Sequence, residues 1–520
     1  MASNKETSWD SVHSSRDSLA GAGWRCQRPG SYKDLIPIEA RGRRFSWLDP
    51  RTLWLSRRNE WIARFLRDPV DDERRRLMAT QRQRPDVPKD FVINRSDLDS
   101  ARFIVVGDTG EGDESQYALV PPLLETGKDT HFMVICSDVI YPDGDINEYL
   151  KKFCHPYKDY PKPIYALPGN HDWYDSLNGF MVHFCGAEPS ERSLGSNWIL
   201  RRLWRKPARI KPRVLEKCRT LRPVPEEHLR QPSPYFAIDT GPLRIVSIDT
   251  GINGQLDHEQ GEWLRQVSGN SPKPKILLTG KPIYVDNEYH PGDLKDGAMK
   301  VDDIVRAAEH NYVAAIGGDI HNYQRYPVKV GDRTIQYIVS GGGGAYMSDT
   351  HRIPKVDVNG VDEGEFRCYP RRGDSLSAYS RIVDRRFFFG LGLFRIPPSE
   401  AAALMGKRLG IDPIRQTDRY RKPRRRKGLI ANLPFLRTPR RTRGRKLLEP
   451  YFYPFFSEVF NWDTPPFFKN YLRLEATKSK LIITCYGITG CAEHEEDPPV
   501  EDRIEIKLDD FEPSSESHER

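Results

Sequence analysis

RFIVVGDTG (102–110), HFMVICSDVIY (131–141) and PIYALPGNHD (163–172) are the stretches on which the reading of this chain turns. Each opens as a short apolar, β-branched run and closes on Gly, Ser or Asp followed by polar side chains. Runs of that length bounded by turn residues read as strands covered on both faces. KILLTGKPIY (275–284) and YVAAIGGDIHNYQR (312–325) repeat the texture. Among them, SQYALVPPLLETG (115–127) predicts a helix interrupted at Pro121, and HEQGEWLRQV and VDDIVRAAEH predict further helices. YFAID and LRIVSID predict strands joined by a Thr-Gly-Pro turn. Strands alternating with helices argue for an α/β domain with buried sheets, whose sites lie just beyond the strand ends.

Outward from this region the pattern breaks on both sides. Residues 1–98 form an Arg- and Trp-rich extension, in which Asp49 and Pro50 mark a helix start. Trp54, Trp61, Ile62, Phe65 and Leu66 lie near one face of that helix, which is expected to dock on the main domain. The main domain is expected over 99–350. Residues 351–469 form an insertion carrying RRFFFGLGLF, a basic run at 421–446 and YFYPFFSEVFNWDTPPFF. NYLRLEA, LIITCYG and DRIEIKL then read as strands returning to the domain over 470–508, and 509–520 as a disordered tail.

Composition limits the class. With 38% hydrophobic and 30% charged residues the chain reads as globular and soluble with polar extensions. No apolar stretch follows a basic one at the start, and no run approaches a membrane span in length. Eight scattered cysteines without a CxxC pair favour reduced structural thiols, which makes cytoplasmic the expected compartment. The net charge of +8 is local: removing the twelve Lys and Arg of 421–446 leaves −4. That segment has the charge to bind anionic lipid, RNA or a phosphorylated substrate, peripherally to a membrane where aromatic residues flank it. A solvated insertion with its aromatics on the core is the alternative.

Five segments place ligand-type side chains directly after strands: GDTG (107–110), SDVIY (137–141), GNHD (169–172), GKPIY (280–284) and GDIHNYQR (318–325). One Gly-Asp is merely a turn. The ordered set resembles the calcineurin-like metallophosphoesterase family, and within it the purple acid phosphatase-like branch, over roughly 102–350 and 470–507. GDTG resembles that branch's GDxG, SDVIY its GDxxY with Ser137 for Gly, GNHD matches outright, and GDIHNYQR resembles GHxHxYxR. The resemblance implies a four-layer α/β/β/α sandwich and hydrolysis of phosphate esters by a hydroxide activated between two metal ions. It places the first metal on Asp108, Asp138, Tyr141 and His321, with Asp138 bridging to a second metal on Asn170. The two histidines normal to that second position are here Gly280 and Asp319, so Asp319 offers a carboxylate in place of an imidazole. The resemblance implies Mn, Fe, Mg or Zn as the ions, and oxygen donors at the second position favour Mg, Mn or Ca there over Zn. His171 is implied to hydrogen-bond the phosphate or protonate the leaving oxygen. Lys281, Tyr323 and Arg325 are candidate substrate contacts, with Lys281 able to supply missing positive charge.

Two rival readings follow from the same residues. The altered second half-site fits a catalytically impaired relative that uses the fold for binding. The basic insertion fits an adaptor for an anionic surface.

Overall fold

The computed structural model describes residues 33–38, 46–47, 49–65, 68–190, 198–204, 206–222, 231–295, 297, 299–410, 425–433, 436–438, 465–491 and 497–508. Two sheets form its centre. The first has six strands in the spatial order Val500–Lys507, Lys480–Ile488, Lys469–Ala476, Ala101–Val106, Phe132–Cys136, Ile164–Leu167. Its last three strands run parallel, and its first three meet them through antiparallel pairs. The second has eight: Val92–Arg95, Phe236–Thr240, Arg244–Ile248, Lys275–Thr279, Tyr312–Gly317, Arg333–Ser340, Tyr323–Val330 and Arg367–Tyr369. Four consecutive members of it, from Arg244–Ile248 to Arg333–Ser340, are parallel.

Side-chain alternation shows how the layers stack. Phe103 and Val105 share one apolar core with Phe132, Val134, Ile245, Ile276, Leu278 and Ile316, so inner faces of both sheets meet there. Their neighbours Ile104 and Val106 point the other way, into a core with Leu119 and Leu123 of the helix Glu114–Thr126. Val246 and Leu277 of the second sheet likewise pack outward with Leu264 of His258–Gly269. Both faces of both sheets are therefore covered, which is why the strands read as continuous apolar runs. The architecture is a metallophosphoesterase-like sandwich with helices outside two sheets.

Both flanking regions give edge strands. Val92–Arg95 pairs in parallel with Phe236–Thr240, and Arg367–Tyr369 pairs antiparallel with Tyr323–Val330. The helix Pro50–Phe65 begins at Pro50, where Asp49 accepts from the Arg51 backbone at 3.0 Å. Its docking face differs from the aromatic one expected. Ser56, Asn59, Ile62 and Ala63 are buried, whereas Trp54, Trp61 and Phe65 are exposed. Leu66 lies outside the described residues. Polar Asn59 takes the inward position because its amide donates to the Tyr174 carbonyl at 2.9 Å.

Three other expectations need correction or placement. Glu114–Thr126 continues through Pro121 and Pro122 as one helix, its start held by Asp113, which accepts from the Ser115 and Gln116 amides. Cys491 is disulfide-bonded, so reduced thiols do not describe every cysteine; six others are free. Most of the basic run and all of 451–464 and 509–520 lie outside the described residues. Within the run, the short helix Arg425–Ile430 buries Ile430, and Ala431 and Leu436 join the inter-sheet core. Among the described residues no helix is long and apolar enough to cross a membrane.

Candidate functional site

The five ligand-bearing loops leave the carboxyl ends of strands from both sheets and meet at one edge of the sandwich. Cys136, the last residue of its strand, donates its thiol to the Thr279 carbonyl at 3.2 Å across the two sheets. Just beyond, Asp108 of the first sheet accepts from the Asp319 amide of the second at 2.9 Å. The backbone is bent hard to achieve this. Asp108, Ser137, Asp138 and Asp319 all have positive φ (58°, 78°, 27° and 66°), a region non-glycine residues rarely occupy and one enriched at functional sites. Close approach also demands glycines: a Cβ at Gly169 would stand 2.0 Å from Asp138 Oδ1, and one at Gly341 2.5 Å from Asp108 Oδ2. The four glycines 341–344 are thus a packed turn around Asp108, with the Ala345 amide donating to the Asp108 carbonyl at 2.9 Å.

Tyr141 is the hub. Its hydroxyl lies 3.1 Å from Asp108 Oδ1, 3.1 Å from Asp138 Oδ2 and 3.1 Å from His321 Nε2. His321 donates through Nδ1 to the Tyr346 carbonyl at 2.8 Å, which leaves Nε2 as a lone-pair acceptor. Three acceptors therefore face a hydroxyl that has one proton to give. His321 Nε2 and Asp108 Oδ1 are 3.9 Å apart. All four side chains are buried. Burial, reinforced by Asp138 and Asp319, pushes the Asp108 carboxyl well above its ordinary range. Asp138 rises to about 7, again by burial first and the Asp319 charge second. Burial pushes His321 down to about 3.

A cation fits this donor set. Ligands bound at about 2.0–2.2 Å to one ion sit roughly 3 Å from one another, as the phenol does from its three neighbours. Among the described residues, the one group of three His, Cys, Asp or Glu donors all within 4.8 Å of one another lies elsewhere, so here the phenol links the set.

The second half of the site is built differently. Asn170 donates to the Tyr174 hydroxyl at 2.9 Å, while its Oδ1 is buried without a partner. Asp319 Oδ1 is taken by Lys281 Nζ at 2.9 Å. Burial opposes the ammonium charge, but Asp319, with Asp138 behind it, raises the Lys281 pKa above its ordinary value. At Gly280 a Cβ would meet Thr250 Oγ1 at 2.6 Å and the Pro168 carbonyl at 3.3 Å, so any side chain here would require Thr250 to shift. His290, the next histidine along the chain, is exposed and lies 3.8 Å from Glu288.

His171 is held by its backbone and its ring. The His171 amide donates to Asp138 Oδ1 at 2.8 Å, and Nδ1 donates to the Pro142 carbonyl at 2.7 Å. Burial lowers its pKa to about 4. Asp172 ties the loops together, accepting from the Val139, Ile140 and Gly169 amides.

Tyr323 and Arg325, expected as substrate contacts, are committed elsewhere. Both are buried, and both donate to Asp502 Oδ2, at 2.8 Å and 2.5 Å. They brace the last strand against the second sheet.

Several residues at the site carried no signal in the sequence. Trp47, from the extension, packs edge-on to Tyr141, His171 and Tyr346 with centroids 5.9, 6.1 and 5.7 Å away. Its indole donates to Glu111 at 2.9 Å, and Glu111 also accepts from the Tyr346 amide. Arg57 and Glu60, on the docked helix, are close enough to act electrostatically on His171. Only folding reveals that this helix lies at the site.

Comparison with known proteins comes to one family. Residues 101–323 match the model of the calcineurin-like phosphoesterases. No protein of curated function matches the chain in sequence. Similar solved structures include a purple acid phosphatase from yellow lupin (Lupinus luteus) seeds, at 12% identity and a TM-score of 0.38, covering 79% of this chain and 55% of that one. The chain thus spans little more than half of that protein. The anchor in the inner membrane complex of Plasmodium aligns at 12% identity and a TM-score of 0.33, over 48% of this chain and 74% of its own. PhoD aligns at 10% identity and a TM-score of 0.34, over 79% of this chain and 70% of its own.

Proposed function

We propose, from the match of residues 101–323 to the calcineurin-like phosphoesterase model, that the chain hydrolyses phosphate esters with one firmly held metal ion and a built-in ammonium in place of a second. Asp108, Asp138, Tyr141 and His321 would hold the ion. The observation that carries the reading is the single phenolic proton facing three buried acceptors. Oxygen donors outnumber nitrogen three to one, which suits Mn, Fe or Mg better than Zn. When bound, such an ion supplies Lewis acidity toward a phosphoryl oxygen and lowers the pKa of nearby water.

The remaining chemistry belongs to the chain's own side chains. Lys281, paired with Asp319 and acting electrostatically on Asp138, and the unpartnered Asn170 oxygen are the further polar groups of the site. The Lys281 ammonium offsets negative charge on the phosphoryl group. His171 presents Nε2, because Nδ1 is held by Pro142. A phosphate dianion beside that nitrogen favours its protonation and so prepares it to donate to the leaving oxygen. Trp47 and Tyr346 wall the site and limit water.

Two variants test the assignment. Asp138→Asn is expected to remove metal and hydrolysis of an aryl phosphate together. His171→Ala is expected to retain metal and slow turnover by about 10² to 10⁴-fold, the usual effect of losing a positioned acid or base. No hydrolysis by the wild type above the Asp138→Asn background would instead favour a binding module that has lost catalysis.

A second property is favoured by one surface. Phe387, Phe389, Leu391 and Leu393 are exposed, Phe389 at 93%, and Lys427 of the basic run donates to the nearby Arg395 carbonyl. Apolar and basic groups together suit an anionic membrane surface. Replacing Phe389 and Leu391 by Ser is expected to reduce co-sedimentation with phosphatidylserine vesicles and leave aryl phosphate hydrolysis unchanged. Undiminished vesicle binding contradicts this property.

A further inference from the structure

Away from the phosphoesterase loops, three helical segments bring a second set of metal-type donors together. Cys154 ends the wide helical turn Leu150–Cys154, His183 lies on Asn178–Cys185, and Cys218 lies on Pro212–Leu221. One donor atom from each is within 4.8 Å of the other two. Both cysteines are free and buried.

The histidine is prepared as a ligand. Its ring stacks on Tyr149 with centroids 4.2 Å apart and planes 14° from parallel, which fixes its orientation. Its Nε2 is buried with no partner. Leaving that nitrogen buried and unpaired costs free energy, which a ligand would recover. Thiol ligands give up their protons when a metal binds.

We propose that Cys154, His183 and Cys218 bind a zinc-class divalent cation with an open fourth position, separate from the phosphoesterase site. Two thiolates and an imidazole select a borderline-soft ion, whereas the oxygen-rich cluster around Tyr141 selects a harder one. The two sites would therefore sort different metals within one chain. The ion's effect would be structural. It joins segments separated by about thirty residues each, and the turn it fixes contains Lys152, whose ammonium donates to the Tyr141 carbonyl at 2.5 Å.

Cobalt(II) titration of the whole protein tests the site, because only sulfur ligands give a thiolate-to-cobalt charge-transfer band in the near ultraviolet. One equivalent is expected to produce the band in wild type and equally in Asp138→Asn, and zinc is expected to displace it. Cys218→Ser is expected to lose it. Should that variant fail to fold, equimolar zinc must shield Cys154 and Cys218 of the wild type from alkylation, as mapped by mass spectrometry. Absence of the band in wild type, or recovery of a Cys154–Cys218 disulfide from protein kept with excess zinc, overturns the proposal.

Discussion

Lys281 and Asp319 meet at 2.9 Å, Asp319 at one and Lys281 beside the other of the two positions where the family resemblance leads one to expect histidines. Asp319 was legible as a departure from the family pattern and Lys281 as the neighbour of another at Gly280, but their pairing was not, since they lie 38 positions apart. The pair is partly exposed, with side chains 31% and 23% accessible, so its value for stability is small and its charge remains available to a ligand. Lys281→Met is therefore expected to lower kcat by about 10² to 10³-fold, the typical loss on removing one preorganised charge stabiliser. The metal held by the Tyr141 cluster should stay, as elemental analysis would show. A variant that gains a second metal equivalent and keeps its rate would show that Lys281 merely fills space. Asp108, Asp138, Tyr141, Asn170, His171 and His321 could be named from motif order because each follows a strand. Trp47 and Glu111 could not, because what places them is packing between distant segments.

Among the elements, strands were the easiest to read. They are covered on both faces, so their apolar runs are unbroken. The short edge strands Val92–Arg95 and Arg367–Tyr369 were missed because four and three residues carry no periodic signal. The docking face of Pro50–Phe65 was misread because polar Ser56 and Asn59 occupy it. The next helix, Val70–Gln83, is fastened by charge. Arg74, buried, donates to Asp249 and to Asp257, each at 2.7 Å, and Asp249 also accepts from Trp173 at 3.0 Å. Trp173 lies two residues after His171, so this network steadies the loop behind it. Arg74→Met is expected to destabilise the fold by about 3–5 kcal/mol at pH 7, because two buried carboxylates lose their partner. The deficit should depend on pH. Burial raises the Asp257 pKa, but the charge and hydrogen bond of Arg74 outweigh it and bring the net value below the ordinary 3.8. A depressed carboxylate contributes its stability above the unfolded pKa and loses it as pH falls through the folded value. Melting curves of wild type and variant should therefore be farthest apart near pH 7 and converge below about pH 4. A gap constant with pH would mean that Arg74 acts through packing.

In the whole molecule, two sheets from different parts of the chain must align before any site exists. Asp108 and Asp319, 211 positions apart, touch only because the inter-sheet core sets the sheets in register at Cys136 and Thr279. Sequence order revealed which loops carry ligand-type side chains, and the three-dimensional arrangement gathers three acceptors around the Tyr141 hydroxyl in one half and pairs the Lys281 ammonium with Asp319 in the other. The most direct check is a titration of metal-depleted protein with Mn(II), following the hydrolysis rate of an aryl phosphate. Activity is expected to rise and saturate at one equivalent of Mn(II) per chain, with Asp138→Asn flat throughout. Saturation only at two equivalents, or no Mn(II)-dependent rate above the Asp138→Asn background, would contradict a single-metal phosphoesterase.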